Sequence, residues 1–214
     1  METTTISASV LIESLKQMLA QELLGEKLGW WLRFGAATER WFQFEYGFWL
    51  DRCLGNEYAV GFEQRRVDLV VYRAKPIPTT VEEYETLLNL EIKVQGNWFS
   101  KKKVFKDIEK DQDKIDKRDR KESVPGASLV FWFLAEPKRD GRHTWISDQV
   151  ARLEQKNNSV RTLEKIEERM QSDIKGPFDL IQSLPVPNVE HMFDKLDVHV
   201  FCYRSETAKQ GLLE

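Results

Sequence analysis

Apolar residues recur along this chain at two periods, one helical and one of two, and their alternation predicts the order of elements. Leu11, Leu15, Met18, Leu19 and Leu23 form a helix-period stripe over residues 6–24, closed by Gly25. Residues 38–54 read as an aromatic-rich helix, with Glu45 on the turn of Trp41, Phe44, Phe48 and Trp49. Residues 66–73 and 87–95 read as strands; in the second, Leu90, Ile92 and Val94 alternate with Glu91 and Lys93. A charged helix over 107–117 precedes an uninterrupted apolar run, 127–134, bounded by Pro125-Gly126 and Pro137. A last strand is predicted over 197–203.

The connections carry weaker signals. Pro76 and Pro78 mark an insertion over 74–86, with a short helix predicted at 81–87. Residues 149–175 read as a peripheral helical hairpin broken at Asn157-Asn158, and Pro177, Pro185 and Pro187 mark a loop. No internal repeat or low-complexity tract interrupts this pattern. The expectation is one α/β domain over 1–214: an N-terminal helical extension (1–34), a core (35–135), peripheral helices (136–190) and the last strand (191–207).

Composition narrows the setting. With 214 residues, 41% hydrophobic and 11% aromatic, the chain can bury a sizeable core. Cys53 and Cys202, both in apolar segments, read as buried thiols of a reducing compartment, which predicts the cytoplasm. The first nine residues lack basic side chains, and no apolar run approaches bilayer length, so neither a signal peptide nor a membrane partner is expected.

The candidate chemistry lies on the two alternating strands. If they pair as neighbours, one face gathers Asp68, Glu91 and Lys93 while the other buries aliphatic side chains. Carboxylates are hard oxygen ligands for a small divalent cation. A lysine beside them can orient or deprotonate an attacking water, or offset negative charge in a phosphoryl transition state. Val70 and Tyr72 share the face of Asp68, so the sheet should be covered on both sides, with charge confined to one end.

On these residues the chain resembles the PD-(D/E)xK nuclease superfamily, with Val67-Asp68 in the place of PD, Val replacing Pro, and Glu91-Ile92-Lys93 as (D/E)xK. The order of helix, Asp strand, ExK strand, helix and buried strand over roughly 38–135 agrees with that family. The resemblance implies a restriction-endonuclease-like core: a central mixed sheet of four to five strands flanked by helices, with additional N- and C-terminal helices. It implies that Asp68, Glu91 and the Ile92 carbonyl hold Mg²⁺, with Mn²⁺ able to substitute. It implies that Lys93 assists the nucleophile, that a helix Glu supports the site, and that the substrate is DNA, in restriction, repair or phage defence. Glu45 is preferred over Glu39 for the helix carboxylate. A carboxylate among four large aromatics is costly to bury without a cation, whereas Glu39 has an ordinary role near a helix start.

Net charge is −3 and the pI near 5.8, which argues against a protein that coats nucleic acid through bulk electrostatics. Yet from Lys93 to Lys121 there are eleven Lys or Arg against six acids. Lys101-Lys102-Lys103 would suit a phosphate backbone, and Gln95 continues the face of Glu91 and Lys93 toward substrate. The rest of the segment reads equally well as a solvated helix, with Asp107 and Asp111 opposite Lys110 and Lys114. Trp98-Phe99 either stack on a base or pack under the sheet after the Gly96-Asn97 turn. His143, His191 and His199 lack metal-ligand spacing and are assigned structural roles; there is no CxxC and no Walker-type loop. Two rivals stand beside the nuclease. One is an inactive PD-(D/E)xK-like module binding nucleic acid or protein; the other is chance, with Glu91 and Lys93 an ordinary polar strand face. The N-terminal stripe suits either core packing or a homodimer contact.

Overall fold

The computed structural model describes residues 6–21, 24, 27–28, 38–63, 67–73, 85–97, 101–138, 145–155, 162–172, 174–190 and 193–211. Its helices are α1 (Ala8–Leu19), α2 (Thr38–Leu54), α3 (Lys101–Glu122), α4 (Trp145–Gln155), α5 (Leu163–Ser172) and α6 (Glu206–Gly211). Its strands are β1 (Tyr58–Phe62), β2 (Leu69–Arg73), β3 (Glu85–Gly96), β4 (Gly126–Pro137), β5 (Asp179–Pro185) and β6 (Phe193–Arg204).

Among the described residues six strands form one mixed sheet in the order β1-β2-β3-β4-β6-β5. Of these strands β3 and β4 run parallel, joined by α3 as a crossover, as parallel neighbours require, and the other pairs are antiparallel. The α/β class and the pairing of β2 with β3 agree with the sequence pattern. The strand number does not: six strands replace the four or five expected. Residues 179–185, read as loop from their flanking prolines, pair with β6, and Pro185 closes an edge strand where its missing N–H costs little. β1 was hidden by its uniformly half-buried side chains, which leave no alternation to detect. The helix predicted at 81–87 is replaced by strand at 85–87, while 81–84 lie outside the described residues. Asp68 sits in a bend immediately before β2 rather than within a strand.

The sheet is covered on both faces. On one, α1 and α2 close a core of Leu69, Leu90, Ile92, Leu129 and Phe131. On the other, α3 and α5 close over Val130, Trp132 and Phe201 through Val104, Ile108, Ile115, Ile166 and Met170. Val70 and Tyr72 bury beside Val67 on that second side. The α1 stripe is spent inside the molecule: Leu11, Leu15, Met18 and Leu19 are buried, and the Tyr46 hydroxyl donates to the Leu11 carbonyl at 3.1 Å. That use favours core packing over a dimer contact.

Gly47 lets α2 lie close to the sheet. A Cβ there would fall 2.5 Å from the Phe62 ring and 3.0 Å from Leu69, so the usual helix-interior cost of glycine is offset by close approach. The N-terminal turn of α2 is thereby brought against the middle of β3. Among the described residues, no helix is long and apolar enough to cross a membrane.

Candidate functional site

The site arises from unequal strand lengths. β3 has twelve residues and β2 five, and their pairing ends at Leu69 opposite Leu90. From Ile92 onward the β2-facing edge of β3 needs other partners, because buried backbone polar groups must be satisfied. The Ile92 N–H donates to Asp68 Oδ2 at 2.7 Å, and the Ile92 carbonyl accepts from Gln43 Nε2 of α2 at 3.3 Å. Asp68 is thus pinned to the ExK strand by the backbone of its middle residue.

Period-two alternation turns Glu91 and Lys93 toward α3, while Ile92 enters the opposite core. There they meet side chains of α3 whose opposed charges, in the sequence alone, have the pattern of a solvated helix. Glu91 Oε2 lies 3.0 Å from Lys114 Nζ, which lies 3.2 Å from Asp111 Oδ1. Asp111 Oδ2 is 3.1 Å from Lys93 Nζ, an ion pair off the line of a hydrogen bond, and Lys93 Nζ donates to Glu39 Oε1 at 3.0 Å. Glu39, Lys93, Asp111, Lys114 and Glu91 therefore form an alternating chain of charge, with Asp68 beside it. Four carboxylates against two ammoniums leave a formal −2 when all are ionised.

Burial sets the electrostatics. It raises the Glu91 carboxyl to about 8, helped by the neighbouring Asp68 and opposed by Lys114. It also raises Asp68, against the Ile92 N–H, and Glu39, against Lys93. For Lys93 burial works the other way, but Glu39 and Asp111 outweigh it and hold the ammonium above the ordinary lysine value. Lys93 is a fixed cation here, not a free base.

Carboxylate oxygens are the donor type that a hard divalent cation takes. Glu91 is only 1% exposed, and its Oε1 is buried with no hydrogen-bond partner, which is costly for a carboxylate in water's absence. Asp68 uses one oxygen on Ile92, leaving the other uncommitted in the described contacts. Among the described residues no three His, Cys, Asp or Glu side chains converge as a ready metal group.

The structure joins Glu39, not the preferred Glu45, to the cluster. Glu39 reaches the cluster; Glu45 lies about 120° further round α2, half-buried, and no described hydrogen bond or ion pair joins it to the site. The aromatic turn does not enclose it: Phe44 and Phe48 are 48% and 50% exposed, and Phe42, Tyr46 and Leu50 form the buried stripe. Gln95 is buried on the site's face of β3 but is linked to the cluster by no described hydrogen bond. Lys101, Lys102 and Lys103 occupy the first turn of α3, where Lys103 is exposed and the side chains of the other two lie outside the described residues. Trp98, Phe99, His143 and His191 also lie outside them. His199 is buried with Nδ1 2.8 Å from Ser183 Oγ, and Cys53 and Cys202 are free thiols.

Sequence reasoning missed Asp111, Lys114 and Gln43. Asp111 had a signal: it falls in step with Val104, Ile108 and Ile115, an acid inside a buried stripe. Lys114 and Gln43 carried none beyond position. No family model, curated protein or solved structure matches the chain.

Proposed function

We propose that this protein is a metal-dependent nuclease that hydrolyses DNA phosphodiester bonds, built on a restriction-endonuclease-like core. The observation that carries this reading is the buried Glu91 carboxylate, with one unpartnered oxygen, beside Asp68 at the open edge of β3 and flanked by a clamped Lys93. The run α2, antiparallel β2–β3, α3 and parallel β4 supports the same core.

Asp68, Glu91 and the Ile92 carbonyl would hold Mg²⁺ or Mn²⁺. Such an ion supplies positive charge for phosphate oxygens and makes a water more acidic. Lys93, kept protonated by Glu39 and Asp111, places a fixed positive charge where the transition state gains negative charge. Gln43 holds the Ile92 carbonyl and Asp68 holds its N–H, so the strand backbone is fixed beside the carboxylates. Lys103, exposed in the first turn of α3, offers a phosphate contact further along the helix that carries Asp111.

Calorimetric titration of Mg²⁺ or Mn²⁺ into wild type and Asp68→Ala, followed by plasmid nicking, tests the proposal. Both signals should be present in wild type and lost in the variant. DNA binding that needs no cation, without cleavage, would instead identify an inactive binding module.

A further inference from the structure

We propose that Lys114 is an exchangeable counter-ion of the site: it leaves Glu91 when a divalent cation enters, and its freed ammonium then faces the phosphate of the incoming strand. The inference rests on the nuclease reading above and assigns a role to a residue outside the Asp, Glu and Lys of the motif.

The two lysines of the cluster are tethered differently. Lys93 is 15% exposed and lies between Glu39 at 3.0 Å and Asp111 at 3.1 Å, so it has no route to water that keeps both partners. Lys114 also has two partners, Glu91 Oε2 at 3.0 Å and Asp111 Oδ1 at 3.2 Å, but its side chain is 50% exposed, so its ammonium has a path to solvent. Its stem has four rotatable bonds and is half in solvent, so a rotamer change carries the ammonium outward once a stronger cation takes over its pair with Glu91.

Glu91 supplies the reason to exchange. Its other oxygen, Oε1, is buried and unpartnered, so one exposed lysine neutralises a carboxylate that could accept more. An ammonium and a divalent cation cannot share it in a half-buried site, since like charges a few ångströms apart repel strongly at low effective dielectric. Asp111 makes the exchange selective. It contacts both lysines, and when Lys114 departs its remaining partner is Lys93, which is held more firmly. Lys114 then stands at the exposed rim of the cluster, where a phosphate is its natural partner.

Amine labelling of the full chain, with and without Mg²⁺, tests the proposal: a small acetylating ester is read residue by residue by mass spectrometry, with Mg²⁺ binding recorded by calorimetry in the same buffer. Lys114 acetylation should rise at least threefold with Mg²⁺, while the clamped Lys93 and the exposed Lys106 of the same helix stay unchanged. Unchanged Lys114 labelling in a sample that binds Mg²⁺ overturns the exchange and leaves the nuclease reading standing. A sample that binds no Mg²⁺ removes the nuclease reading and the exchange with it. The variant Lys114→Met alters an exposed side chain and should bind Mg²⁺ at least threefold more tightly at pH 8; affinity equal to or below wild type also overturns the exchange.

Discussion

Lys93 Nζ and Glu39 Oε1 lie 3.0 Å apart although 54 residues separate them, one on the central strand and the other at the start of α2. The contact is made possible by the early end of β2, past which the helix can reach the edge of β3. It makes Glu39 the carboxylate that sets the state of Lys93.

Lys93→Met should keep metal affinity and slow DNA cleavage by about 100-fold, the scale of a lost charge-stabilising group. Because Glu39 and Asp111 keep Lys93 protonated, the wild-type rate should not follow a lysine titration between pH 7 and 9. Glu39→Gln should slow cleavage and Glu45→Gln should leave it within twofold; the reverse order in a nicking assay would remove Glu39 from the site.

Stability should depend on pH through Glu91. Its folded pKa, about 8, lies above the ordinary 4.5, so the folded state holds the proton more tightly than the unfolded one. That contribution is fully present below about pH 4.5 and is lost as pH rises through about 8. In a chelating buffer, urea unfolding should show wild type losing a few kcal/mol relative to Glu91→Gln between pH 5 and pH 8.5. Parallel curves for the two proteins would contradict the burial argument.

Asp111→Ala removes the shared partner of both lysines and leaves Lys93, 15% exposed, with Glu39 alone. Breaking a buried pair on one side costs on the order of 3 kcal/mol. Chemical denaturation should therefore place the variant well below Lys110→Ala, which loses only a surface pair with Asp107.

Gly47→Val should move α2 away from the sheet, since even a Cβ would meet the Phe62 ring at 2.5 Å. Overpacking of this kind costs about 1–3 kcal/mol. Phe62→Ala introduced on top should recover part of the loss; a fully additive double variant would show that the two side chains do not compete for space.

Much of the core was legible in one dimension. The bounds of α2 follow from its aromatic run, and β4 is marked by its uninterrupted apolar stretch between Pro125-Gly126 and Pro137. The shared face of Glu91 and Lys93 is a direct consequence of strand periodicity. What escaped had no local mark: β1 and β5 are half-buried edge elements, and Lys114 looks like any helix-surface lysine beside an acid three positions earlier. Asp111 was visible only as an acid in step with apolar neighbours, a pattern that opposed charges on the same helix disguised.

Periodicity alone settles which side chains point the same way, because helix and strand repeats are properties of the backbone and hold in any fold. It could not decide which side faces inward: on α2 the aromatic turn bearing Glu45 looked buried, yet Phe42 and Tyr46 took the core and left Phe44 and Phe48 in solvent. That choice belongs to the elements that cover each face. Only their packing brought Glu39, Asp111 and Lys114 to Lys93 and Glu91.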